Sequence, residues 1–258
     1  MEDKFIRQKD FFNPNEGLAA VIVGAGTIGS WLAFGLAKLG VKDIYVVDND
    51  RVELHNTPNQ TYTSKHAESA MPKVIALRRM ILEHTGIEIA FSAEKITRTN
   101  PLSTITFRRY SDGGMEVTWL HRDYILFSAV DNMATRTLLY RSAVEEGKEK
   151  TMPDYRFFID GRMAGEVIQV YAFRANDPKA RLKYETTLHS DNLEEVVKNE
   201  EIRAISQVKC TAQSVIDVSM TIAGLMINLY RKESKGHTID FDYTIDMRNL
   251  WYLKGVAQ

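Results

Sequence analysis

Cysteine is almost absent from this sequence of 258 residues, and Cys210 is the single example. A lone cysteine excludes an intrachain disulfide and any metal site built from several thiolates. The six histidines are scattered, and no two of them stand at the spacing of a metal-ligand pair. Nothing in the composition therefore indicates a site in which protein side chains alone enclose a transition metal.

Long apolar runs and a charge excess are also missing. No stretch of 18 uninterrupted apolar residues occurs, which argues against a membrane span. The N-terminal stretch MEDKFIRQKDFF lacks the apolar core of a secretory signal, so we expect a cytoplasmic protein. The 33 basic and 34 acidic residues balance, and their totals give no indication of a nucleic-acid or membrane partner.

The chain shows no internal repeat, no low-complexity stretch and no linker. Its hydrophobic fraction of 44% is typical of a globular protein with a substantial core. We therefore predict one domain over 1–258, with a nucleotide-binding half at 1–150 and a C-terminal half at 151–258. The C-terminal half would serve the substrate and a dimer contact.

Short apolar runs alternate with segments of helical periodicity over the first 160 residues. This alternation predicts an α/β fold of Rossmann type, a mostly parallel sheet with helices on both faces. The chain ends in alternating residues that predict a C-terminal antiparallel extension. The main predicted strands are 18–23, 44–47, 87–96, 123–129 and YRFFID, and the main predicted helices are 27–39, 72–86, 131–147 and 214–232.

Two segments of the last third leave alternatives open. Residues 191–206 are polar and predict either a short surface helix or a loop. The helix at 214–232 is apolar on most of its circumference, which favours a central core helix. The alternative is a helix that packs partly against a second subunit.

Three glycines stand between the first predicted strand and the first predicted helix. In the stretch GAGTIG, Gly24, Gly26 and Gly29 allow a phosphate to approach the backbone at the positive end of the helix. Asp48 follows 19 residues after Gly29, at the end of the second strand, where an acid can bind ribose hydroxyls. These features predict a nucleotide site, although glycines that serve only a tight turn remain an alternative.

Polar residues after the second strand favour a triphosphate over a nicotinamide nucleotide. The acids of Asp48-Asn49-Asp50 are followed by three amides and an ammonium, which can contact phosphate oxygens as charge moves during displacement at phosphorus. The amides and the ammonium belong to Asn56, Asn59, Gln60 and Lys73. The alternatives are that Asn56 and Gln60 only order a loop and that Lys73 is a solvated lysine at a helix start.

Asp131 ends a later predicted strand, in the stretch SAVDN. Ligands of open α/β sheets bind at the carboxyl ends of the strands. A carboxylate there could hold Mg²⁺ through one or two contacts while phosphates and water complete the shell. The alternative is that Asp131 only caps the following helix.

Read together as GAGTIGS…DxDxVExxNxxxQ…K…DN…R, these residues resemble the ubiquitin-activating-enzyme superfamily, specifically its stand-alone ThiF/MoeB-type adenylyltransferases. The resemblance covers most of 1–146. It implies that Asp48 binds the ribose of ATP, that Asp131 lies on the magnesium side, and that Arg136 is the arginine of the DNxxxR pattern. The matching second acid, amides and lysine are Asp50, Asn56, Gln60 and Lys73.

The sequence departs from this family in two respects. The arginine that usually precedes the glutamine and contacts the triphosphate is Asn59 here. Arg7, in FIRQKDFF, is a candidate substitute, because the family's N-terminal segment carries an arginine that reaches the partner subunit's ATP; Arg7 as a merely exposed, solubilising residue is the alternative. The two C-x-x-C pairs of many relatives are absent, so no structural zinc is expected.

Cys210 stands directly before the long apolar helix, the place of the reactive cysteine in relatives that form a thioester or persulfide. A helix N-terminus and the neighbouring Lys209 would favour the thiolate, which could accept an activated acyl group. The alternative is a small buried hydrophobic residue, because relatives that form no thioester carry the same CT pattern.

The resemblance implies adenylation of a carboxylate by ATP with Mg²⁺, in a homodimer. The expected substrate is the C-terminal glycine of a small ubiquitin-fold or sulfur-carrier protein. The catalytic residues would be Asn56, Lys73, Asp131 and Cys210. Two alternatives remain. The first is an NAD-dependent oxidoreductase. The second is a degenerate, non-catalytic module that binds a nucleotide or a partner, and Asn59 in place of the usual arginine favours this second alternative.

Overall fold

A computed structural model describes residues 4–118, 123–146, 155–188, 215–249 and 251–255. The strands are β1 (Ala19–Val23), β2 (Ile44–Val47), β3 (Ala90–Ser92), β4 (Phe107–Ser111), β5 (Gly114–Thr118), β6 (Tyr124–Ser128), β7 (Tyr155–Ala164), β8 (Val167–Arg174), β9 (Asp242–Asp246) and β10 (Trp251–Gly255). The α-helices, numbered in the same way, are α1 (Thr27–Leu39), α2 (Ser64–Glu68), α3 (Lys73–Thr85), α4 (Met133–Glu146), α5 (Pro178–Thr186) and α6 (Ile216–Ser234).

The ten strands of the described residues belong to one sheet, in the order β10-β9-β8-β7-β6-β1-β2-β3-β4-β5. Its centre is parallel, because β3, β2, β1, β6 and β7 run in the same direction. Antiparallel strands flank that centre, with β4 and β5 on one side and β8, β9 and β10 on the other. The predicted Rossmann-like class and its C-terminal antiparallel extension are confirmed, whereas the β4–β5 hairpin was not predicted.

Helices cover both faces of the sheet and divide the core into two layers. On one face α1, α3 and α6 bury residues such as Leu32, Leu77 and Met226 against the sheet. On the other face α4 and α5 bury Tyr140 and Tyr184. Fully burying an apolar side chain such as Leu32 or Met226 stabilises the fold by about 1.5–3 kcal/mol. The two layers therefore hold the parallel centre in place.

The long C-terminal helix packs against α1 and against β7 and β8. Its residues Val218, Ile222 and Met226 are fully buried, which confirms the prediction of a core helix for this stripe. Ile216 and Met220, near the start of the helix, are about half exposed, at 45% and 51%. The alternative contact with a second subunit stays a prediction for that exposed side.

Several predicted boundaries are confirmed, whereas helices α2 and α5 were missed. Gly40 and Gly86 end α1 and α3 in the left-handed conformation, with φ of 97° and 72°. The third strand is shorter than predicted, because only Ala90–Ser92 pairs with β2. Helix α5 was not predicted, and residues 191–206 and the predicted helix end at Gly147 lie outside the described residues.

The order of the strands places a crevice beside β1. The chain leaves β1 toward β2 on one side, and β6 pairs with the other side of β1. This is a topological switch point, and the carboxyl ends of β1 and β6 open the crevice in which such sheets bind ligands. Within the described ranges, no helix has both the length and the apolar character that a bilayer crossing requires.

Candidate functional site

The turn between β1 and α1 requires glycine at two positions and leaves space at a third. Gly24 has φ of +95°, and a Cβ there would lie 2.5 Å from the Ala129 carbonyl oxygen. A Cβ on Gly29 would lie 1.8 Å from the Gly24 carbonyl oxygen. A Cβ on Gly26 would meet no atom within 4 Å. The turn therefore packs tightly against Ala129, just after β6, and leaves free space beside Gly26.

The first turn of α1 offers unsatisfied backbone donors at the same place. Helix α1 starts at Thr27, and no side chain caps it, because the N-cap residue is Gly26. The first N–H groups of a helix have no partner within it, and the positive end of the helix dipole favours an anion. The arrangement suits the predicted phosphate contact of Gly24, Gly26 and Gly29, which stays a prediction.

Asp48 joins the glycine turn to the segment after β2. Its Oδ2 accepts a hydrogen bond from the Ala25 amide at 2.6 Å, and its Oδ1 accepts one from the Asp50 amide at 2.7 Å. Burial raises the pKa of the Asp48 carboxyl above its ordinary value, although the Lys73 ammonium nearby opposes the shift. Each carboxylate oxygen can accept a further hydrogen bond, so the predicted contact with ribose hydroxyls is compatible with these two bonds.

Lys73 is the first residue of α3 and points back to this segment. Its ammonium lies 3.0 Å from Asp50 Oδ2, and its side chain is only 10% exposed. Its backbone N–H also donates to the Asp50 carbonyl at 2.9 Å. The alternative of a solvated lysine is therefore wrong, because the side chain is enclosed and paired beside the predicted site.

The loop that carries the predicted amides forms three hydrogen bonds with the glycine turn and the beginning of α1. Their partners there are Ala25, Ser30 and Trp31. The indole of Trp31 donates to the Asn59 carbonyl at 2.9 Å. The Thr61 amide donates to Ser30 Oγ at 3.3 Å, and the Tyr62 hydroxyl donates to the Ala25 carbonyl at 2.6 Å. The structure thus brings the loop at 57–63 against the glycine turn.

The predicted amides have different surroundings. Asn56 is buried and its Oδ1 accepts from the Glu53 amide at 2.8 Å, which orders the loop, while its catalytic role stays a prediction. Gln60 differs, because its Oε1 is buried without a hydrogen-bond partner. Thr61 Oγ1 and Ser128 Oγ, the latter at the end of β6, are buried and unpartnered in the same way. An unpartnered polar atom in the loop that contacts the glycine turn, such as Gln60 Oε1, is what a site for a polar ligand would show.

Asp131 lies two residues beyond Ala129, the residue that packs under the glycine turn. Its side chain is exposed, and its Oδ1 accepts a hydrogen bond from Asn132 Nδ2 at 3.0 Å. The cap of α4 is Asn132, because its Oδ1 accepts from the Thr135 amide at 2.8 Å. The alternative that Asp131 only caps this helix is therefore wrong, and its carboxylate faces solvent at the predicted edge.

A buried ionic cluster behind Asp131 was largely missed by the sequence analysis. Asp160 of β7 has no exposed surface and accepts from Arg136 Nε at 2.8 Å and Arg162 Nε at 2.7 Å. The Tyr184 hydroxyl of α5 donates to the same carboxylate at 3.0 Å. Burial opposes ionisation of Asp160, yet the two guanidiniums hold its pKa below the ordinary value. We call Arg136, Asp160, Arg162 and Tyr184 the Asp160 cluster.

Arg7 lies far from the site of its own chain. The neighbouring Gln8 donates through Nε2 to the Leu39 carbonyl at 2.6 Å, which is the C-terminal end of α1. The glycine turn lies at the other end of that helix, 13 residues or about 20 Å away. Arg7 therefore lies away from the glycine turn of its own chain, and its contact with a partner subunit's nucleotide stays a prediction.

Two further predictions meet the limits of the described residues. Cys210 lies outside them, so its role as an acyl acceptor stays a prediction. Within the described ranges, no three His, Cys, Asp or Glu side chains lie together as a metal site. A single carboxylate such as that of Asp131 is compatible with Mg²⁺, which commonly takes one or two protein ligands and the rest from phosphates and water.

The chain is similar to known proteins in sequence. The model of the ThiF family matches residues 16–231. The curated relative "Sulfur carrier protein ThiS adenylyltransferase" of Bacillus subtilis (strain 168) is 30% identical over 135 residues. That match spans 50% of this chain and 34% of the relative, so the chain matches about a third of the relative's length.

Solved structures share the fold over nearly the whole chain. E. coli MccB with ATP superposes on 99% of this chain and 72% of its own, with a TM-score of 0.65 and 14% identity. E. coli MccB with MccA-N7isoASN covers 100% and 72%, again with a TM-score of 0.65 and 14% identity. SeMet PaaA covers 98% and 67%, with a TM-score of 0.62 and 16% identity. At these identities the likeness concerns the fold.

Proposed function

The chain belongs to the ThiF family, and from this premise we propose that it adenylates a carboxylate with ATP. A carboxylate oxygen of the substrate attacks the α-phosphorus. The bond from that phosphorus to the oxygen bridging to the β-phosphate breaks, and pyrophosphate leaves with the electron pair. The product is an acyl-adenylate that a thiol or sulfide can attack.

One observation carries this proposal: an unbroken series of contacts from Lys73 to the glycine turn. Lys73 Nζ contacts Asp50 Oδ2 at 3.0 Å, the Asp50 amide donates to Asp48 Oδ1 at 2.7 Å, and Asp48 Oδ2 accepts from the Ala25 amide at 2.6 Å. A cation, an acid that we expect to bind ribose and open backbone donors therefore lie along one series of contacts. Fixed charges of this kind stabilise the charge that develops at a transferring phosphoryl group.

Asp131 would hold Mg²⁺ on the other side of the glycine turn. When bound, Mg²⁺ would neutralise charge on the phosphates and so favour pyrophosphate as a leaving group. The protein's part is to fix one carboxylate next to the end of β6, where Ala129 packs under Gly24 and Gly29. Gln60, whose Oε1 has no partner, is the amide best placed to bind the nucleotide from the loop at 57–63.

We propose the C-terminal glycine of a small ubiquitin-fold or sulfur-carrier protein as the substrate. The support is the name of the B. subtilis relative, which acts on the sulfur carrier protein ThiS. The MccB structures with MccA show that a protein of this fold binds a further ligand besides ATP. A chain that ends in glycine is unhindered at its carboxylate, which suits in-line attack on the α-phosphorus.

Calorimetry with ATP·Mg²⁺ and with NAD⁺ tests the nucleotide assignment. The protein is expected to bind ATP·Mg²⁺ and to give no saturable heat with NAD⁺, because the polar groups around the glycine turn suit a triphosphate. Asp131→Ala is expected to weaken binding of ATP in the presence of Mg²⁺ and to leave binding in EDTA unchanged. Glu185→Ala on α5 removes an acidic side chain elsewhere and serves as the control.

Two outcomes would overturn the proposal. Tight NAD⁺ binding that Asp131→Ala does not affect would favour the oxidoreductase. Binding of ATP·Mg²⁺ without ATP–pyrophosphate exchange, in the presence of a panel of glycine-ended carrier proteins, would favour a non-catalytic binding module, for which Asn59 in place of arginine is the main argument.

We also propose a homodimer in which Arg7 reaches the partner subunit's nucleotide. The support is its position, because Arg7 is exposed at the end of α1 opposite the glycine turn of its own chain. Exposed apolar side chains could be buried in a contact between subunits, and they belong to Ile6, Phe11, Ile216 and Met220.

Mixing two inactive variants tests that arrangement. Arg7→Ala and Lys73→Ala are each expected to lack exchange activity alone. After subunit exchange in a 1:1 mixture, half of the dimers are mixed, and each mixed dimer holds one intact site, so activity returns to roughly a quarter of wild type. A mixture without activity, or an active Arg7→Ala protein, would contradict a role for Arg7 across subunits.

A further inference from the structure

The Asp160 cluster lies directly behind the turn that carries Asp131. Arg136 connects the two, because its Nε donates to Asp160 at 2.8 Å while its Nη2 donates to the Val130 carbonyl at 2.6 Å. The same Nη2 lies 3.3 Å from the Gly161 carbonyl of β7. One guanidinium thus joins the residue before Asp131 to the strand next to it.

The remaining members of the cluster leave Asp160 little freedom. Its Oδ2 accepts from both Arg162 and Tyr184, at 2.7 and 3.0 Å, and Arg162 is itself fixed by two hydrogen bonds to Thr187. The Arg162 guanidinium also stacks over the Tyr171 ring, 4.6 Å from its centroid. A carboxylate with this many fixed donors can hold Arg136 in only one orientation.

Stability alone is a weak reason for such a cluster. Burying two guanidiniums and one carboxylate costs desolvation energy that their attraction only partly offsets, and apolar residues of similar volume often stabilise a core as well or better. The cluster lies on rigid elements, β7 and two helices, which is where a precisely held site needs its support. The hydrogen bond from Arg136 to the Val130 carbonyl connects the cluster to the turn that carries Asp131.

We propose that Asp160 is a positioning residue: through Arg136 it fixes the turn at 130–132 and so orients the Asp131 carboxylate. This inference rests on the proposed role of Asp131 toward Mg²⁺. In this proposal the cluster makes no contact of its own with the nucleotide. It acts on the backbone that presents the carboxylate, in the way that groups around a metal ligand set its direction.

The test compares Asp160→Asn with a matched control, Glu233→Gln. Glu233 is also a buried carboxylate between two arginines, Arg156 and Arg174, but it lies at the C-terminal end of α6, away from the crevice. Both substitutions remove one buried charge and keep the side-chain volume, so both lower the melting temperature. Tyr184→Phe, which removes a single hydrogen bond to Asp160, is the milder variant should Asp160→Asn fail to fold.

Two readouts are measured, and one needs no ligand. In Asp160→Asn, hydrogen exchange of the amides that depend on the turn, those of Thr135 and Arg136, is expected to accelerate in the ligand-free protein. The Mg²⁺ concentration for half-maximal Mg²⁺-dependent ATP binding is expected to rise about 10- to 100-fold, the usual cost of losing a group that orients a metal ligand. Tyr184→Phe should move both readouts in the same direction by less, and Glu233→Gln should move neither.

The inference is overturned if folded Asp160→Asn or Tyr184→Phe protein keeps wild-type exchange at these amides and wild-type Mg²⁺ dependence. It is equally overturned if Glu233→Gln moves both readouts as much as Asp160→Asn does. Asp131→Asn separates this result from the function itself. If Asp131→Asn leaves the Mg²⁺ dependence unchanged while Asp160→Asn accelerates exchange, positioning of the turn stands and the magnesium role of Asp131 fails.

Discussion

Lys73→Ala is expected to lower ATP–pyrophosphate exchange by about 10²- to 10³-fold, the usual cost of removing one preorganised group that stabilises developing charge. The ammonium is enclosed, at 10% exposure, and lies next to the segment that binds the glycine turn. A charge held in place before the reaction needs no reorganisation as pyrophosphate leaves, so its loss acts on the rate. Exchange is measured with ³²P-labelled pyrophosphate and a saturating carrier substrate.

The folded state should tolerate this change. Asp50, which loses its partner, is 60% exposed and can be solvated by water, so little stability is lost with the ion pair. Arg79→Ala, at an exposed position of the same helix, removes an equal charge and is the control. Wild-type exchange in folded Lys73→Ala protein would show that the site assignment is wrong.

Two alanine substitutions in the glycine turn are expected to have opposite effects on folding and binding. Gly29→Ala places a Cβ 1.8 Å from the Gly24 carbonyl oxygen, an overlap that the backbone can relieve only by moving. Such overpacking costs about 1–3 kcal/mol, and each kcal/mol lowers the melting temperature by about 2–4 °C for a chain of this size. Thermal unfolding should therefore show clear destabilisation of Gly29→Ala.

Gly26→Ala is expected to leave the melting temperature nearly unchanged, because its Cβ meets no atom within 4 Å and its φ is −79°. The added methyl group would instead occupy the space through which a phosphate approaches the α1 amides. The dissociation constant for ATP should rise about tenfold or more, which corresponds to roughly 1.4 kcal/mol. Calorimetry gives this value directly.

The pair of substitutions separates a binding turn from a purely structural one. If Gly26→Ala binds ATP as the wild type does, the open side of the turn is not the phosphate site. If Gly29→Ala is as stable as the wild type, the close approach of Gly24 and Gly29 does not constrain the turn. Either result would remove the physical reason for placing a triphosphate above α1.

Much of the site could be placed from the sequence because its residues follow one another at short intervals. The glycines lie between a predicted strand and helix, and Asp48 ends the next strand, so the parallel fold alone brings them together. Lys73 could be placed by its position at the start of a helix. That Asn56 turns inward to cap a short helical turn depends on the local backbone, which spacing does not reveal.

The Asp160 cluster could not be found in this way, because its members come from α4, β7 and α5 and meet only in the folded chain. A signal was present, since Asp160 and Arg162 are two residues apart in an apolar strand and therefore share a face. The Asp160-Gly161 pair, however, is also typical of a turn, and this ambiguity obscures the buried charge.

Individual elements of the fold were missed where short turn and cap signals were overlooked. The β4–β5 hairpin turns at Asp112-Gly113, a dipeptide that favours such turns. Asp177 is the N-cap of helix α5, where its side chain accepts from the Ala180 amide, and Pro178 is the first residue of the helix. Both signals are short, and the surrounding residues are too polar for hydrophobic periodicity to reveal the elements.

Three hydrogen bonds hold the loop at 57–63 against the glycine turn and α1, and they affect the thermodynamics of ligand binding. Ordering a loop residue costs about 1–2 kcal/mol of free energy through lost conformational entropy. When a segment becomes ordered only on binding, this cost lowers the binding affinity. Here the hydrogen bonds from Trp31, Tyr62 and the Thr61 amide have already met that cost during folding. Association should accordingly be fast, with a small entropic penalty, and should resemble docking into a preformed groove.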